Sequence, residues 1–183
     1  MSYKIRSARP EDAEQIGQVH VWAWQETYRG IMPDEHLDSL SVEKRAEHHR
    51  TYIGKSGYMV AEESGVIVGF ICCGQDRSDN SPTRGEIYAI YLLDKAKGKG
   101  VGENLMRAAA EWLMENNFQE ISLWVAAENI CAKTFYKTLE GITGEGSKTI
   151  NIGGKDIAEI QYVWKNPKAT RLIHPKQPLK NTI

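Results

Sequence analysis

The order of apolar and polar positions divides the chain into short strands and helices. Residues 1–7 read as a short strand. Pro10 stands where a helix begins, ahead of Glu11 and Asp12. Ile16, Val19, His20 and Ala23 then recur at helical spacing, and Trp22, Trp24 and Tyr28 crowd the far end before the break at Gly30 and Pro33. A second helix is predicted over about residues 41–52, with Ser41 and Lys44 placed less well than a capping box requires. Strands follow at 58–63 and 66–73, joined by the hairpin pair Ser64-Gly65. Residues 75–85 are polar and turn-rich, which predicts a mobile loop. Residues 86–92 are apolar on both faces, as in a strand covered on both sides. Val101, Leu105, Ala109, Trp112 and Leu113 form the stripe of an amphipathic helix ending near Asn116-Asn117. Ile121, Leu123 and Val125 alternate as a strand, and Ala132, Phe135, Tyr136 and Leu139 line one face of a further helix. Residues 148–152 and 155–164 flank Gly153-Gly154, a two-residue hairpin turn.

Hairpins in the first part and a strand–helix–strand crossover in the middle imply a mixed α/β fold without internal repeats. The 183 residues suit one domain, expected over 1–164. Beyond it, 165–183 is a basic tail that holds three of the six prolines. That tail has five bases and no acid, so the rest of the chain carries 24 acids against 18 bases, a net −6. A uniformly basic nucleic-acid binder is thereby disfavoured. The Leu172-Ile173 pair suggests an arm that docks on a neighbouring subunit, and with it a homodimer.

A hydrophobic fraction of 41% and a charged fraction of 26% are those of a soluble globular protein. No apolar run reaches the roughly 20 residues that span a bilayer, so no membrane partner is expected. The polar, basic start lacks the apolar segment of a secretory signal. Cys72, Cys73 and Cys131 have neither disulfide nor metal-ligand spacing, and reduced thiols point to the cytoplasm. His20 and the His48-His49 pair likewise suggest no metal and read as surface or core residues.

The chemistry concentrates in residues 86–102, EIYAIYLLDKAKGKGVG. A buried strand leads into Gly98, Lys99, Gly100, Val101 and Gly102, where the amphipathic helix starts. Glycines admit a ligand close to the backbone, and the first turn of a helix offers unpaired N–H groups at its positive end. The combination is an anion cradle suited to a pyrophosphate. A dinucleotide fingerprint fails because Glu103 stands where its third glycine belongs, and a P-loop fails because no Lys-Ser or Lys-Thr pair follows.

Lys97 to Gly102 (KGKGVG) resembles the Q/R-x-x-G-x-G/A signature of the GCN5-related N-acetyltransferase (GNAT) superfamily, with Lys97 in the Gln/Arg place and Asp94 where many members have proline. Glu128-Asn129, Ala132 and Phe135-Tyr136 resemble the family's N-x-x-A-x-x-F-Y helix, with Gly141-Ile142 after it in place of Gly-Phe. The resemblance implies the GNAT fold: a twisted, mostly antiparallel mixed sheet of about seven strands, splayed at a central parallel pair and flanked by about four helices. It also implies acetyl-CoA as co-substrate, without a metal, and direct attack of a primary amine in a ternary complex.

The same resemblance assigns roles. The backbone of Gly98, Gly100, Val101 and Gly102 is expected to hold the pyrophosphate, with charge added by Lys97 and Lys99. Main-chain groups of Ile90, Tyr91 and Leu92 are expected to pair with the pantetheine arm. Asn129 is a helix cap and, by resemblance, a cofactor contact. Tyr136 is expected to protonate the leaving thiolate, and Glu86, eleven positions before Lys97, to act as general base. Trp24, Tyr28 and Arg29 lie where the family builds its acceptor pocket, whose rings suit a cationic or aromatic amine. Each has a structural alternative: a tight turn, solvated lysines, a cap, a buried tyrosine, a strand-end acid, an aromatic core. Cys131 has no readable His partner, against a cysteine-nucleophile route. Two rival classes are a non-catalytic acyl-CoA sensor and a general nucleotide-binding domain.

Overall fold

The computed structural model describes residues 3–77 and 81–174. Seven strands form one sheet in the order β1-β2-β3-β4-β5-β7-β6: β1 Lys4–Ser7, β2 Gly57–Glu63, β3 Val66–Gln75, β4 Arg84–Leu92, β5 Glu120–Ala126, β6 Ile142–Ile152 and β7 Lys155–Trp164. The helices are α1 Ala13–Tyr28, α2 Asp34–Asp38, α3 Val42–Tyr52, α4 Val101–Glu115 and α5 Ile130–Thr138. None of the described helices is long and apolar enough to cross a membrane.

All neighbours in the sheet are antiparallel except β4 and β5. The parallel pairing runs only from Arg84↔Glu120 to Ile87↔Leu123. Beyond it β4 continues to Leu92 on β3, while β5 continues to Ala126 on β7. The sheet therefore splits, leaving one edge of Tyr88–Leu92 without a strand partner. A bulge adds to the effect. Cys72 faces Ala89 but Cys73 faces Ile87, so Tyr88 is an extra residue and the side-chain alternation reverses there. Ile87, Ile90 and Leu92 consequently pack toward α4, whereas Tyr88, Ala89 and Tyr91 pack toward α1. This explains why the segment looks apolar on both faces.

α1 and α3 cover one face and α4 the other. The α4 stripe is buried as its periodicity requires: Leu105, Met106, Ala109, Ala110 and Leu113 are fully enclosed. Ser41 caps α3 by accepting a hydrogen bond from the Lys44 amide at 3.1 Å. Both two-residue turns, Ser64-Gly65 and Gly153-Gly154, adopt positive φ throughout, as tight hairpins need.

Three features go beyond the sequence reading. α2 is a one-turn helix with Asp34 and Glu35 in its first turn. β6 begins at Ile142, six residues before the strand predicted there, in a glycine-rich stretch without alternation. Gly146 is needed in it because a Cβ would lie 2.8 Å from the Trp124 ring. The third concerns the tail. Leu172 is fully buried in the core of its own domain, Ile173 packs beside it, and the Arg171 amide donates to Glu140 Oε2 at 3.0 Å. The pair expected to reach a neighbouring subunit is thus used internally, and the domain's packing extends past residue 164. The rest of the tail, 175–183, and positions 78–80 of the loop expected to be mobile lie outside the described residues.

Candidate active site

A cleft of about 510 Å³ opens where β4 and β5 part. Ile87–Leu92 form one wall and Leu123–Val125 the other. The start of α4 closes one end through Lys97, Gly98, Gly100 and Gly102, and α5 contributes Asn129, Cys131, Ala132, Phe135 and Tyr136. From α1 come Thr27 and Tyr28.

The glycine segment is shaped by its backbone. Gly98 and Gly100 have φ of 70° and 76°, a region costly for a residue with a Cβ. Gly100 is the N-cap of α4, and its carbonyl accepts from the Asn104 amide at 3.1 Å. The amides of Val101, Gly102 and Glu103 precede that first helical bond and have no intrahelical partner. They form the donor set of an anion site at a positive helix end. Lys97 borders the cleft, with its ammonium on Asp94. Lys99 does not line the cleft, and the Val101 side chain is buried in the core beneath the loop.

The two sequence motifs meet at one point. Gly102 approaches the ring of Phe135 so closely that a Cβ there would stand 3.2 Å from its Cζ. The loop and α5 are thereby held in fixed relation, with Tyr136 beside Phe135. Tyr136 is buried against Tyr162 and Trp164, and Trp164 Nε1 donates to the Leu139 carbonyl at 2.8 Å. The Tyr136 hydroxyl makes no hydrogen bond among the described residues. Burial, and secondarily the neighbouring Tyr28, push its phenol well up, so it is a protonated group through the neutral range. Burial raises Tyr28 and Tyr91 likewise. Asn129 caps α5 by accepting from the Ala132 amide at 3.0 Å, while lying on the cleft.

The other expected residues fall elsewhere. Trp24 packs against Tyr28 and Tyr91, which line the cleft, but is not itself part of the lining. Arg29 is exposed and binds Asp34 at 3.1 Å and Asp38, which ties α2 to the end of α1. Glu86 is 2% exposed and outside the lining. Its carboxylate accepts from the Arg77 amide at 2.9 Å, from Arg77 Nε at 3.2 Å and from Arg77 Nη2 at 2.6 Å.

Sequence reasoning did not single out Tyr88, Trp124 or Thr27 as cleft residues. For Tyr88 and Trp124 the deciding information is non-local, namely the bulge and the loss of pairing after Leu123. Nor did it connect His20 with His49. Behind Tyr91, His20 Nδ1 lies 2.9 Å from His49 Nε2, and His49 Nδ1 lies 3.0 Å from the Tyr58 hydroxyl. Burial, aided by Arg45 and His48, lowers His49 to about 4 and places His20 well below the usual imidazole range.

Comparison with known proteins agrees with this geometry. Residues 9–140 match the model of the acetyltransferase (GNAT) family. The uncharacterized N-acetyltransferase YuaI of Bacillus subtilis is 34% identical over 166 residues, 86% of this chain and 95% of that protein. An uncharacterized N-acetyltransferase of Archaeoglobus fulgidus is 31% identical over 73% of this chain and 88% of that one. Among solved structures, the PaiA N-acetyltransferase of Thermoplasma acidophilum in complex with coenzyme A superposes with a TM-score of 0.69 at 24% identity, covering 88% and 98% of the two chains. YncA, a putative acetyltransferase from Salmonella typhimurium with acetyl-CoA, superposes with a TM-score of 0.70 at 16% identity, over 90% and 94%. The chain belongs to the acetyltransferase (GNAT) family, and with it to the N-acetyltransferases.

Proposed function

We propose that the protein transfers the acetyl group of acetyl-CoA to a primary amine of a small molecule, by direct attack within a ternary complex. One observation carries the cofactor assignment: the open edge of β4 runs into the loop of free amides at the start of α4. An extended pantetheine fits that edge as an added strand would, with the pyrophosphate on the amides of Val101, Gly102 and Glu103 and charge from Lys97. Solved structures of the same fold hold coenzyme A or acetyl-CoA, which supports the fit.

The residues then divide the chemistry. The neutral amine attacks the thioester carbonyl, a C–N bond forms, and the C–S bond breaks. Tyr136 gives its phenolic proton to the departing sulfur, the proton lost from nitrogen goes to water, and Tyr136 is reprotonated from solvent to close the cycle. Glu86, whose spacing suggested a base, is hydrogen-bonded to Arg77 and does not line the cleft, so in this reading it positions the 76–77 segment. Tyr28, Tyr91 and Trp124 wall the acceptor side, and no role in binding is assigned to Arg29. The test is a thiol-release assay with acetyl-CoA and a panel of small amines. Release that depends on the amine, with the N-acetyl product recovered, is expected. Cofactor binding without amine-dependent release would instead favour an acyl-CoA sensor.

A further inference from the structure

Beside the cleft, one of the protein's own ammonium groups lies over the ring of Trp124, a residue of the cleft wall. Lys148 Nζ lies 4.2 Å from the centroid of the Trp124 ring and 3.4 Å from Glu159 Oε2. Lys148 and Glu159 are direct cross-strand partners on β6 and β7. Trp124 lies on β5, two residues from the Ala126 that pairs with Glu159. An ordinary cross-strand ion pair in solvent contributes little. This one differs in two ways. Its carboxylate is only 16% exposed, and its cation lies over the face of a ring that lines the cleft. Glu159 also acts on Tyr28, another cleft residue, electrostatically.

We propose that Trp124 and Glu159 form a subsite for a second, non-reacting ammonium of the acceptor, and that Lys148 occupies it until the acceptor arrives. The acceptor class is therefore a small diamine or polyamine. This rests on the acetyl-transfer reading and specifies its substrate. The charge logic selects the non-reacting group. An aromatic face and a carboxylate stabilise a cation, which would hold back an amine that must lose its proton to attack. The same pair favours a group that stays charged throughout, and the tether between the two nitrogens carries the neutral one toward Tyr136. Lys148 then acts as a competitor of matched chemistry, excluding amines without a second charge to displace it.

The experiment compares kcat/KM for 1,4-diaminobutane and n-butylamine at saturating acetyl-CoA, in the wild type, Glu159→Gln, Lys148→Met and Lys148→Arg. The wild type should prefer the diamine by about tenfold or more, the scale of a shielded cation–π and carboxylate contact. Glu159→Gln should bring the ratio close to one. Lys148→Met keeps the aliphatic stem over Trp124 and removes the competing charge, so the KM for the diamine should fall, whereas Lys148→Arg should retain the wild-type value. The KM for acetyl-CoA should not move in any variant. Equal use of the two amines by the wild type, or a preference that survives Glu159→Gln, would overturn the subsite while leaving the transferase reading intact. No release with any amine would remove both.

Discussion

Glu86 accepts three hydrogen bonds from Arg77, through the backbone amide, Nε and Nη2, and is not among the residues that line the cleft. The arrangement makes Glu86 a structural anchor for the chain after β3. Replacing Glu86 with Gln should cost about 1.5–3 kcal/mol in a urea titration, the range for hydrogen bonds to a charged partner. The pH profile of turnover should keep its shape. A general base would behave differently: turnover of Glu86→Gln would collapse near neutrality and recover at higher pH, where more of the amine is already neutral. That recovery would return Glu86 to the chemical step.

Tyr136 should behave in the opposite manner. Tyr136→Phe keeps the ring against Tyr162 and Trp164 and removes only the proton donor. Turnover should fall by a factor on the order of 10²–10⁴ with little change in the KM for acetyl-CoA. Because burial raises this phenol, the deficit should stay constant through the neutral range. Steady-state kinetics at several pH values decides it, and an undiminished Tyr136→Phe enzyme removes the acid role.

The paired imidazoles give the fold an acid limit. His49 is lowered to about 4 from 6.5, and burial also places His20 well below the usual imidazole range. Above the unfolded value both states are neutral and nothing is lost. Below it the unfolded chain takes up protons that the folded chain refuses, so stability should fall steadily from about pH 6.5 toward pH 4. His49 alone accounts for roughly 3 kcal/mol over that interval. Urea midpoints measured across the window check the slope, and a His49→Gln variant should flatten it. A wild-type midpoint independent of pH there would mean that these rings are not held neutral.

Leu172 fills the core beneath the last strand. Leu172→Ala should destabilise the protein by about 2–5 kcal/mol, as large-to-small changes in a closed core do. An arm meant for another subunit would instead show a change in molecular mass by light scattering with an unchanged urea midpoint.

How much of this was legible in the sequence follows from the range of each signal. The α4 stripe, the glycines before it and the Asn129–Tyr136 helix are local patterns, and each appears where its spacing placed it. The hairpins were legible because Ser64-Gly65 and Gly153-Gly154 report their own backbone conformation. The first half of β6 was not, since Gly144 and Gly146 are selected by Gln161 and Trp124 across the sheet rather than by strand propensity. The same limit hid the cleft role of Trp124, which alternates within β5 like any strand residue. It also hid the partner of Glu86: the spacing suggested a base, while the hydrogen bonds to Arg77 were invisible in a linear reading. Trp24 and Arg29 lie at the expected end of α1, but rotation about that helix puts Tyr28 into the cleft and Arg29 onto α2.

The central claim is that coenzyme A lies along the open edge of β4 with its pyrophosphate on the amides that follow Gly100. Calorimetric titration of coenzyme A into the wild type and Gly100→Asn tests it most directly. Asparagine tolerates the left-handed conformation that Gly100 adopts at φ 76°. A Cβ there meets only ordinary contacts, 3.5 Å from the Tyr3 hydroxyl and 3.9 Å from Asn104 Nδ2, so the fold should survive. The side chain should nevertheless stand between the ligand and the backbone amides. The account predicts saturable binding to the wild type and at least about tenfold weaker binding to the variant, a difference of 1.4 kcal/mol or more, with a near wild-type unfolding curve. Equal affinity of the two proteins for coenzyme A would contradict it.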